Sequence, residues 1–350
     1  MTVMGSEIRE IPMRAAAQLQ DAGAAIGAAE AIRAAEPRWL SMVGRGTSDH
    51  AATYGRYLLE ATLGRPVAMA APSLTTVYAV RQDWQDGVVI AVSQSGRGPD
   101  VVEVVEAARA GGALTIAITN DLAAPLASAA HHVIPCRSGD EQSVAATKTY
   151  VAELVCLASL AAELQPRAPW TEALGRLPTV LDRCLERAIG WVASSGVVNA
   201  VAGTDRCLAA SRGFNLATAL EVALKLKETS GIFAEGYSTA DLMHGPVALA
   251  APGIPLLAFR PDGPMGRRID DGVGHAAAAG SSVWVVGGRE VEPRASVEGA
   301  AALALPLDLP EELSPMPLVL VGQLIAEAVA VRRGRDPDAP EGLRKVTMTR

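Results

Sequence analysis

Residues 88–100 read Val88-Val-Ile-Ala-Val-Ser-Gln-Ser-Gly-Arg-Gly-Pro-Asp100, an apolar run that passes into a turn of hydroxyl-bearing residues and glycine. The apolar run is typical of a buried strand, and the pattern from Pro99 to Ala110 is typical of a helix. Strand, turn and helix recur in this order along the chain. Such alternation predicts a parallel sheet with helices on both faces.

The first half of the chain contains five runs of the strand type and four helical patterns between or after them. We predict strands at residues 39–44, 66–71, 88–92, 114–119 and 132–135, and helices at 51–62, 99–110, 122–129 and 144–164. An alanine-rich helical region precedes them at residues 6–35, and we expect Pro12 to interrupt it.

A second alternating series follows a proline-containing segment at residues 165–170 and a bridging helix at 178–191. We predict strands at residues 207–211, 254–259, 282–286 and 303–307, and helices at 215–230 and 317–333. A polar tail, 334–350, closes the chain.

The two series begin alike, because Met42-Val-Gly-Arg-Gly46 leaves the first strand of one and Ala209-Ala-Ser-Arg-Gly213 leaves the first strand of the other. This likeness predicts two similar α/β domains in tandem. We place an N-terminal helical segment at 1–36, the first domain at 37–165, a linker helix at 166–195, the second domain at 196–333 and the tail at 334–350.

Composition narrows the class of protein. Of 350 residues, 49% are hydrophobic, 20% are charged and only 4% are aromatic, which is typical of a globular chain with an aliphatic core. The net charge of −7 argues against a general nucleic-acid binder. The four cysteines show no metal-binding spacing, so we expect buried reduced thiols. We also expect no secretory signal, and no membrane span because every long apolar segment is interrupted. The expected location is the cytoplasm.

Two turns combine small residues with hydroxyls where a strand gives way to a helix: residues 44–48 and residues 93–100. In an open parallel sheet, ligands bind at the carboxyl ends of strands. Exposed amides at the start of a helix, together with serine and threonine hydroxyls, suit a phosphate monoester. The alternative is that Thr47, Ser48, Ser93 and Ser95 only cap helices.

A charged stripe lies on the predicted helix 215–230, where Glu221, Lys225 and Glu228 are spaced i, i+4 and i+7. Burial could raise the pKa of such a carboxylate toward that of a general base, and His244 could exchange protons near neutrality. The alternatives are a solvated, salt-bridged face and a histidine that only packs or caps. Residues 143–148 could wall a pocket or could simply open a helix.

Taken in order, these motifs resemble the tandem sugar-isomerase (SIS) domain family. The likeness includes the isomerase half of glutamine:fructose-6-phosphate aminotransferase. The matching stretches are residues 46–48, 93–96, 144–148, 219–228, 244–246 and 343–347. The resemblance implies two tandem SIS domains, each a flavodoxin-like parallel sheet sandwiched by helices, with no metal and no cofactor.

The resemblance also implies roles for individual residues. Glu228 would be the base that moves a proton between C1 and C2 of an open-chain sugar, with Lys225 nearby. His244 would open the ring, reaching the pocket of a neighbouring subunit in a homodimer, and Lys345 would meet the ketose carbonyl. Substrate contacts would come from Gly46, Thr47, Ser48, Ser93, Gln94, Ser95, Gly98, Val144 and Ala146.

Three departures from the aminotransferase pattern affect its expected reaction. Arg97 and Gly98 stand in place of an acid and a threonine, and Ala146 stands in place of a serine. No cysteine precedes Cys136, so we expect no glutaminase activity. The pattern is closer to stand-alone glucosamine-6-phosphate deaminases of the second type. A related phosphosugar isomerase, a fructosamine-phosphate deglycase and a non-catalytic sugar-phosphate-binding regulator remain alternatives.

Overall fold

The computed structural model describes residues 1–294 and 300–345, with the backbone alone at 292–294. Val346 and Thr347 of the C-terminal motif lie outside the described residues. The chain forms two compact units. The first-sheet unit comprises Met13–Glu141, Lys148–Gly175 and the tail from Arg344. The second-sheet unit comprises Met1–Pro12, Gln142–Thr147 and Arg176–Leu343. The predicted domain boundaries stay a prediction.

The first-sheet unit is built on five parallel strands in the order β2-β1-β3-β4-β5. They are β1 Trp39–Val43, β2 Val67–Met69, β3 Gly87–Val92, β4 Leu114–Thr119 and β5 His132–Pro135. Every residue of β3 is buried, as expected of a central parallel strand covered on both faces. The helices up to residue 175 are α1 Val3–Leu19, α2 Gly23–Ala35, α3 Thr47–Leu63, α4 Pro72–Thr76, α5 Pro99–Ala110, α6 Pro125–Ala129, α7 Lys148–Leu164 and α8 Thr171–Leu174.

The second-sheet unit contains five parallel strands in the order β10-β9-β8-β6-β7. They are β6 Arg206–Ser211, β7 Phe233–Ser238, β8 Leu256–Arg260, β9 Val283–Gly287 and β10 Ala301–Ala304. The helices are α9 Leu177–Ser194, α10 Val197–Ala202, α11 Leu216–Ser230, α12 Thr239–Met243, α13 Pro264–Ala278 and α14 Pro315–Arg332.

The two sheets have the same topology, which confirms the predicted fold of two similar α/β repeats. In each, the second strand pairs on one side of the first strand and the third strand pairs on the other. The chain therefore reverses direction across the sheet between β1 and β3, and again between β6 and β8. Such a switch point opens a crevice at the carboxyl ends of the two strands.

The predicted N-terminal break is wrong. α1 runs through Pro12, and the gap in the helices falls between Leu19 and Gly23. Proline removes one backbone donor, but the buried stripe of Met4, Ile8 and Ile11 holds that part of the helix in place.

The edge strand β7 was not among the predicted strands. Gly236 is required by close packing, because a Cβ there would lie 2.8 Å from the backbone oxygen of Ala219 on α11. It was missed because this edge strand has no continuous apolar run. α13 was also missed, and the last strand lies at Ala301–Ala304 rather than at 303–307.

The segment Glu311–Arg332, which includes α14, is long and apolar enough to cross a membrane by length and composition. Glu327 interrupts its apolar run, but the segment still passes that test. However, 83% of its apolar window is buried inside the protein, where it packs on α11 and α9. Packing within the second-sheet unit accounts for its composition.

All four cysteines are free thiols in the buried interior, as the sequence predicted. Burial raises the pKa of Cys184 and of Cys207 to about 12.

Gly322 lets α14 approach α11, since a Cβ at this position would lie 2.1 Å from a methyl carbon of Val222. We expect Gly322→Ala to lower the free energy of unfolding by about 1–3 kcal/mol through overpacking. The double variant Gly322→Ala/Val222→Ala should recover part of that loss. Urea unfolding followed by circular dichroism measures both.

Gly274 supplies the control, because it lies within α13 and a Cβ there would meet nothing within 4 Å. Gly274→Ala should stabilise the protein by about 0.5–1 kcal/mol. Equal stability of wild type and Gly322→Ala would show that the α11–α14 contact can relax at no cost.

Candidate functional site

The turn after β1 places Thr47 and Ser48 at the start of α3, at the switch point of the first sheet. Gly44 fits there because a Cβ would lie 2.6 Å from the Ser48 carbonyl oxygen. The Ser48 hydroxyl donates a hydrogen bond of 2.7 Å to Oε1 of Glu153, a buried carboxylate on α7. This hydrogen bond to α7 fixes the orientation of the Ser48 side chain.

The turn after β3 folds back on itself through its two serine hydroxyls. Ser93 Oγ accepts a hydrogen bond of 3.2 Å from the Gly96 amide, and Ser95 Oγ accepts one of 3.3 Å from the Arg97 amide. Gly96 has a φ of +61°, and a Cβ there would lie 2.7 Å from the Cβ of Ala124. The turn therefore requires glycine at this position.

Several donors of this turn remain available to a ligand. Within residues 1–294 and 300–345, the amides of Gln94 and Ser95 and the hydroxyl hydrogens of Ser93 and Ser95 have no acceptor. Gly98 then precedes the first turn of α5. A group of uncommitted donors beside a helix start is the arrangement that binds anions.

An ion pair links the two turns. Arg45 Nε lies 2.6 Å from Oδ2 of Asp100, whose side chain is buried in the first turn of α5. Arg97, a departure from the aminotransferase pattern, is paired with Asp121 at 2.8 Å on the exposed surface. The hydrogen bond from Arg97 lowers the pKa of Asp121. The positive charge of Arg97 is therefore neutralised by the carboxylate of Asp121.

The capping alternative is wrong for α3 and α5. The residues that precede these helices are Gly46 and Gly98, and neither helix has a side-chain cap at its start. The hydroxyls of Ser48, Ser93 and Ser95 make other contacts.

The charged stripe of α11 is buried rather than solvated, so that alternative is also wrong. The side chains of Glu221 and Lys225 are both 0% exposed, and Lys225 Nζ lies 3.3 Å from Oε1 of Glu221. The same ammonium lies 2.5 Å from Oε2 of Glu228, whose side chain is 24% exposed. Of the three groups, only the Glu228 carboxylate reaches solvent.

Lys225 stays charged in this setting. Burial alone would lower the pKa of its ammonium, but the charges of Glu221 and Glu228 and their hydrogen bonds raise that pKa well above its usual value. Lys225 can therefore orient and stabilise the Glu228 carboxylate electrostatically, and it is a poor proton donor.

His244 and the segment 142–147 belong to the second-sheet unit. His244 is exposed directly after α12, where its amide donates to the Asp241 carbonyl at 3.0 Å. The Val144 amide donates to the Asp338 carbonyl at 3.0 Å, and Gln323 Nε2 donates to the Thr147 carbonyl at 3.1 Å. These bonds hold Val144 and Ala146 outside a helix, so α7 begins at Lys148 rather than at 144.

Lys345 is held in the first-sheet unit by a residue that the sequence did not reveal. Its Nζ lies 3.1 Å from Oε2 of Glu141, a buried carboxylate. Glu141 also accepts hydrogen bonds from the hydroxyl of Thr149 at 2.5 Å and from its amide at 3.2 Å. A carboxylate at the start of α7 is stabilised by the helix dipole.

Comparison with known proteins places the chain in a family. Residues 35–163 match the model of the SIS domain. A crystal structure from Silicibacter pomeroyi, named a "putative phosphosugar isomerase", is 34% identical in sequence, with a TM-score of 0.88. The match covers 97% of this chain and 100% of that one. The chain belongs to the SIS domain family.

Glutamine–fructose-6-phosphate aminotransferase [isomerizing] from Methanothermobacter thermautotrophicus is 34% identical over 345 residues. The match covers 98% of this chain but 56% of that protein, so the chain spans about half the length of the curated relatives it matches. The crystal structure of a Thermotoga maritima glucosamine-6-phosphate deaminase shares the fold at a TM-score of 0.77 and 20% identity, covering 99% of this chain and 100% of that one.

We expect Glu221→Gln to lower the free energy of unfolding by about 3–5 kcal/mol, because it removes one partner of a buried ammonium. The double variant Glu221→Gln/Lys225→Met removes the charge as well and should recover most of this loss. Urea unfolding of both variants beside wild type measures the difference. A loss below about 1 kcal/mol for Glu221→Gln would mean that water or Glu228 replaces the lost partner.

Proposed function

We propose that this chain is a sugar-phosphate isomerase that deaminates glucosamine 6-phosphate to fructose 6-phosphate and ammonia. The observation that carries the proposal is the α11 cluster, in which a buried, charged Lys225 holds Glu228 and leaves its carboxylate open to solvent. A positioned carboxylate is the general base that isomerisation requires.

The proposed reaction begins when His244 assists opening of the sugar ring. Glu228 then removes the proton from C2 of the open-chain aldehyde and returns it to C1, while O1 gains a proton and the amino nitrogen loses one, so that the C1–O double bond is replaced by a double bond between C2 and nitrogen. Water adds to this C2 imine and ammonia leaves, so that the ketose remains. Lys225 stabilises the carboxylate form of Glu228, and Lys345 meets the ketose carbonyl.

The substrate's phosphate would be bound by the turn after β3, where uncommitted amides and hydroxyls suit an anion. Gly46, Thr47, Ser48, Val144 and Ala146 would contact the sugar. Names of relatives support this substrate class, since one is an isomerizing aminotransferase of fructose 6-phosphate and another a glucosamine-6-phosphate deaminase. We further propose a cytoplasmic homodimer in which His244 serves the partner's site.

A second candidate keeps the same machinery with a different substrate, either a different sugar, as in a galactosamine phosphate, or a different leaving group, as in a phosphorylated fructosamine. The features that distinguish the chain from the aminotransferase pattern, Arg97, Gly98 and Ala146, favour no single aminosugar. A non-catalytic regulator is less well supported, because a purely binding protein would need no buried ammonium beside an exposed carboxylate.

We expect purified protein to release ammonia from glucosamine 6-phosphate and to form fructose 6-phosphate in equal amounts. A coupled assay with glutamate dehydrogenase measures the ammonia. The same assay with galactosamine 6-phosphate and fructosamine 6-phosphate ranks these substrates by kcat/KM. Sugar-phosphate binding without turnover of any aminosugar would support the regulator instead.

The shared site is tested by mixing two inactive variants. Glu228→Gln should abolish proton exchange at C1 and C2 while sugar-phosphate binding persists, and His244→Asn should slow ring opening. After subunit exchange, an equal mixture should regain about a quarter of wild-type activity, because half of the dimers carry one intact site. Active single variants would contradict the assigned roles, and an inactive mixture that light scattering shows to be dimeric would contradict sharing.

A further inference from the structure

Asn120 is the first residue after β4, the strand that lies between β3 and β5 in the first sheet. The carboxyl ends of these three parallel strands lie side by side. The turn that leaves β3 is the proposed phosphate site. The loop that leaves β5, residues 136–141, ends at Glu141, which holds Lys345. Asn120 forms hydrogen bonds with both the turn and the loop.

The backbone of Asn120 holds the turn after β3. Its amide donates a hydrogen bond of 3.1 Å to the Gln94 carbonyl, and the Thr119 hydroxyl donates one of 3.3 Å to the same oxygen. The Ser93 amide donates to the Ile118 carbonyl at 3.0 Å. None of these three bonds involves the side chain of Asn120, so a substitution at this position leaves their donors and acceptors in place.

The side chain of Asn120 holds the loop after β5. Its Nδ2 donates to the Gly139 carbonyl at 2.9 Å, and its Oδ1 accepts from the Ser138 amide at 3.0 Å. A backbone carbonyl can only accept and a backbone amide can only donate, so the two partners fix the orientation of the carboxamide. An ionised aspartate in its place would keep the acceptor and lose the donor.

The loop leads from this contact to Glu141 in two residues. Gly139 has a φ of +73°, which favours glycine, and a Cβ there would lie 2.7 Å from the guanidinium carbon of Arg14. Glu141 is 4% exposed and accepts from the Thr149 hydroxyl, and its Oε2 lies 3.1 Å from Lys345 Nζ. The position of the Gly139 carbonyl therefore affects the carboxylate that holds Lys345.

We propose that Asn120 is a positioning residue that fixes Lys345, through Gly139 and Glu141, relative to the turn after β3. Its backbone orients the group that would bind the phosphate, and its side chain orients the group that would meet the ketose carbonyl. This role in the reaction rests on the proposed function. The link from Asn120 to Lys345 can be measured without turnover.

Competitive acylation with acetic anhydride, followed by mass spectrometry, tests the link, because the chain has only four lysines. Lys227 is 43% exposed and serves as the reference, whereas Lys148 and Lys225 are buried and react only if the protein opens. Asn120→Ala removes both side-chain bonds. We expect Lys345 to react about fivefold faster relative to Lys227, the factor that corresponds to the loss of one hydrogen bond.

Three controls accompany this measurement. Asn199→Ala removes an exposed carboxamide in α10 and should leave Lys345 unchanged. Glu141→Gln releases Lys345 directly, and the double variant Asn120→Ala/Glu141→Gln should react no faster than Glu141→Gln alone. By isothermal titration, the affinity for inorganic phosphate should change less than about twofold in Asn120→Ala, because the backbone bonds to the turn remain.

Asn120→Asp is the second variant, since it keeps the volume and the acceptor of the side chain. It should also speed the reaction of Lys345, and it decides the question if Asn120→Ala exposes Lys148. An unchanged rate at Lys345, an additive effect in the double variant, or exposure of Lys148 in both Asn120 variants would overturn the inference. The last result would mean that Asn120 supports the whole unit rather than Lys345.

Ammonia release from glucosamine 6-phosphate is measured on the same preparations. In Asn120→Ala, kcat should fall about fivefold while phosphate affinity is retained, because only the group that meets the carbonyl is released. An unchanged kcat beside a faster-reacting Lys345 would contradict the role of Asn120 in the reaction. If the wild-type protein releases no ammonia from any aminosugar phosphate, the proposed function fails, and the acylation rates still decide whether Asn120 positions Lys345.

Discussion

The second-sheet unit depends on how the buried ammonium of Lys225 is neutralised. An ammonium without water is costly, and two carboxylates on the same helix offset that cost. α14 must then cover α11 closely, which Gly322 permits. Glu221 is sealed in and Glu228 stays at the surface, so one helix carries both the structural ion pair and the reactive carboxylate.

The two sheets share one topology, but different groups lie at the carboxyl ends of their strands, where each sheet has its switch point. At the first switch point, the start of α5 follows a turn with uncommitted donors. At the second, β6 and β8 are tied by a bond from the Ser211 hydroxyl to the Phe259 carbonyl, at 2.6 Å. A carboxylate oxygen of Glu311 accepts from the Met265 amide at the start of α13, at 3.4 Å. The chain's own carboxylate thus occupies the place that corresponds to the predicted phosphate turn.

Local pattern predicted most of the fold, because buried parallel strands are continuous apolar runs and their turns carry glycine and hydroxyls. It failed where tertiary packing overrides local preference. α1 continues through Pro12 since its apolar stripe is buried, and β7 pairs with β6 although half of its residues are polar.

The candidate site, like the fold, could be predicted only in part. The hydroxyl-rich turns and the α11 stripe could be identified from spacing alone. Glu141 and Glu153 could not be assigned partners, since Lys345 and Ser48 are far from them in sequence. The one available signal for Glu153 was an acid within an otherwise apolar helix, which requires a polar partner.

The four buried cysteines have a practical consequence. Thiol reagents attack the thiolate, and burial that raises the pKa of Cys184 and Cys207 to about 12 leaves almost none of it near neutral pH. The natural cysteines of the folded protein are therefore expected to react little with the thiol reagents that are used for site-specific labelling. A single cysteine introduced on an exposed turn could carry a fluorophore or a spin label without first removing the natural ones.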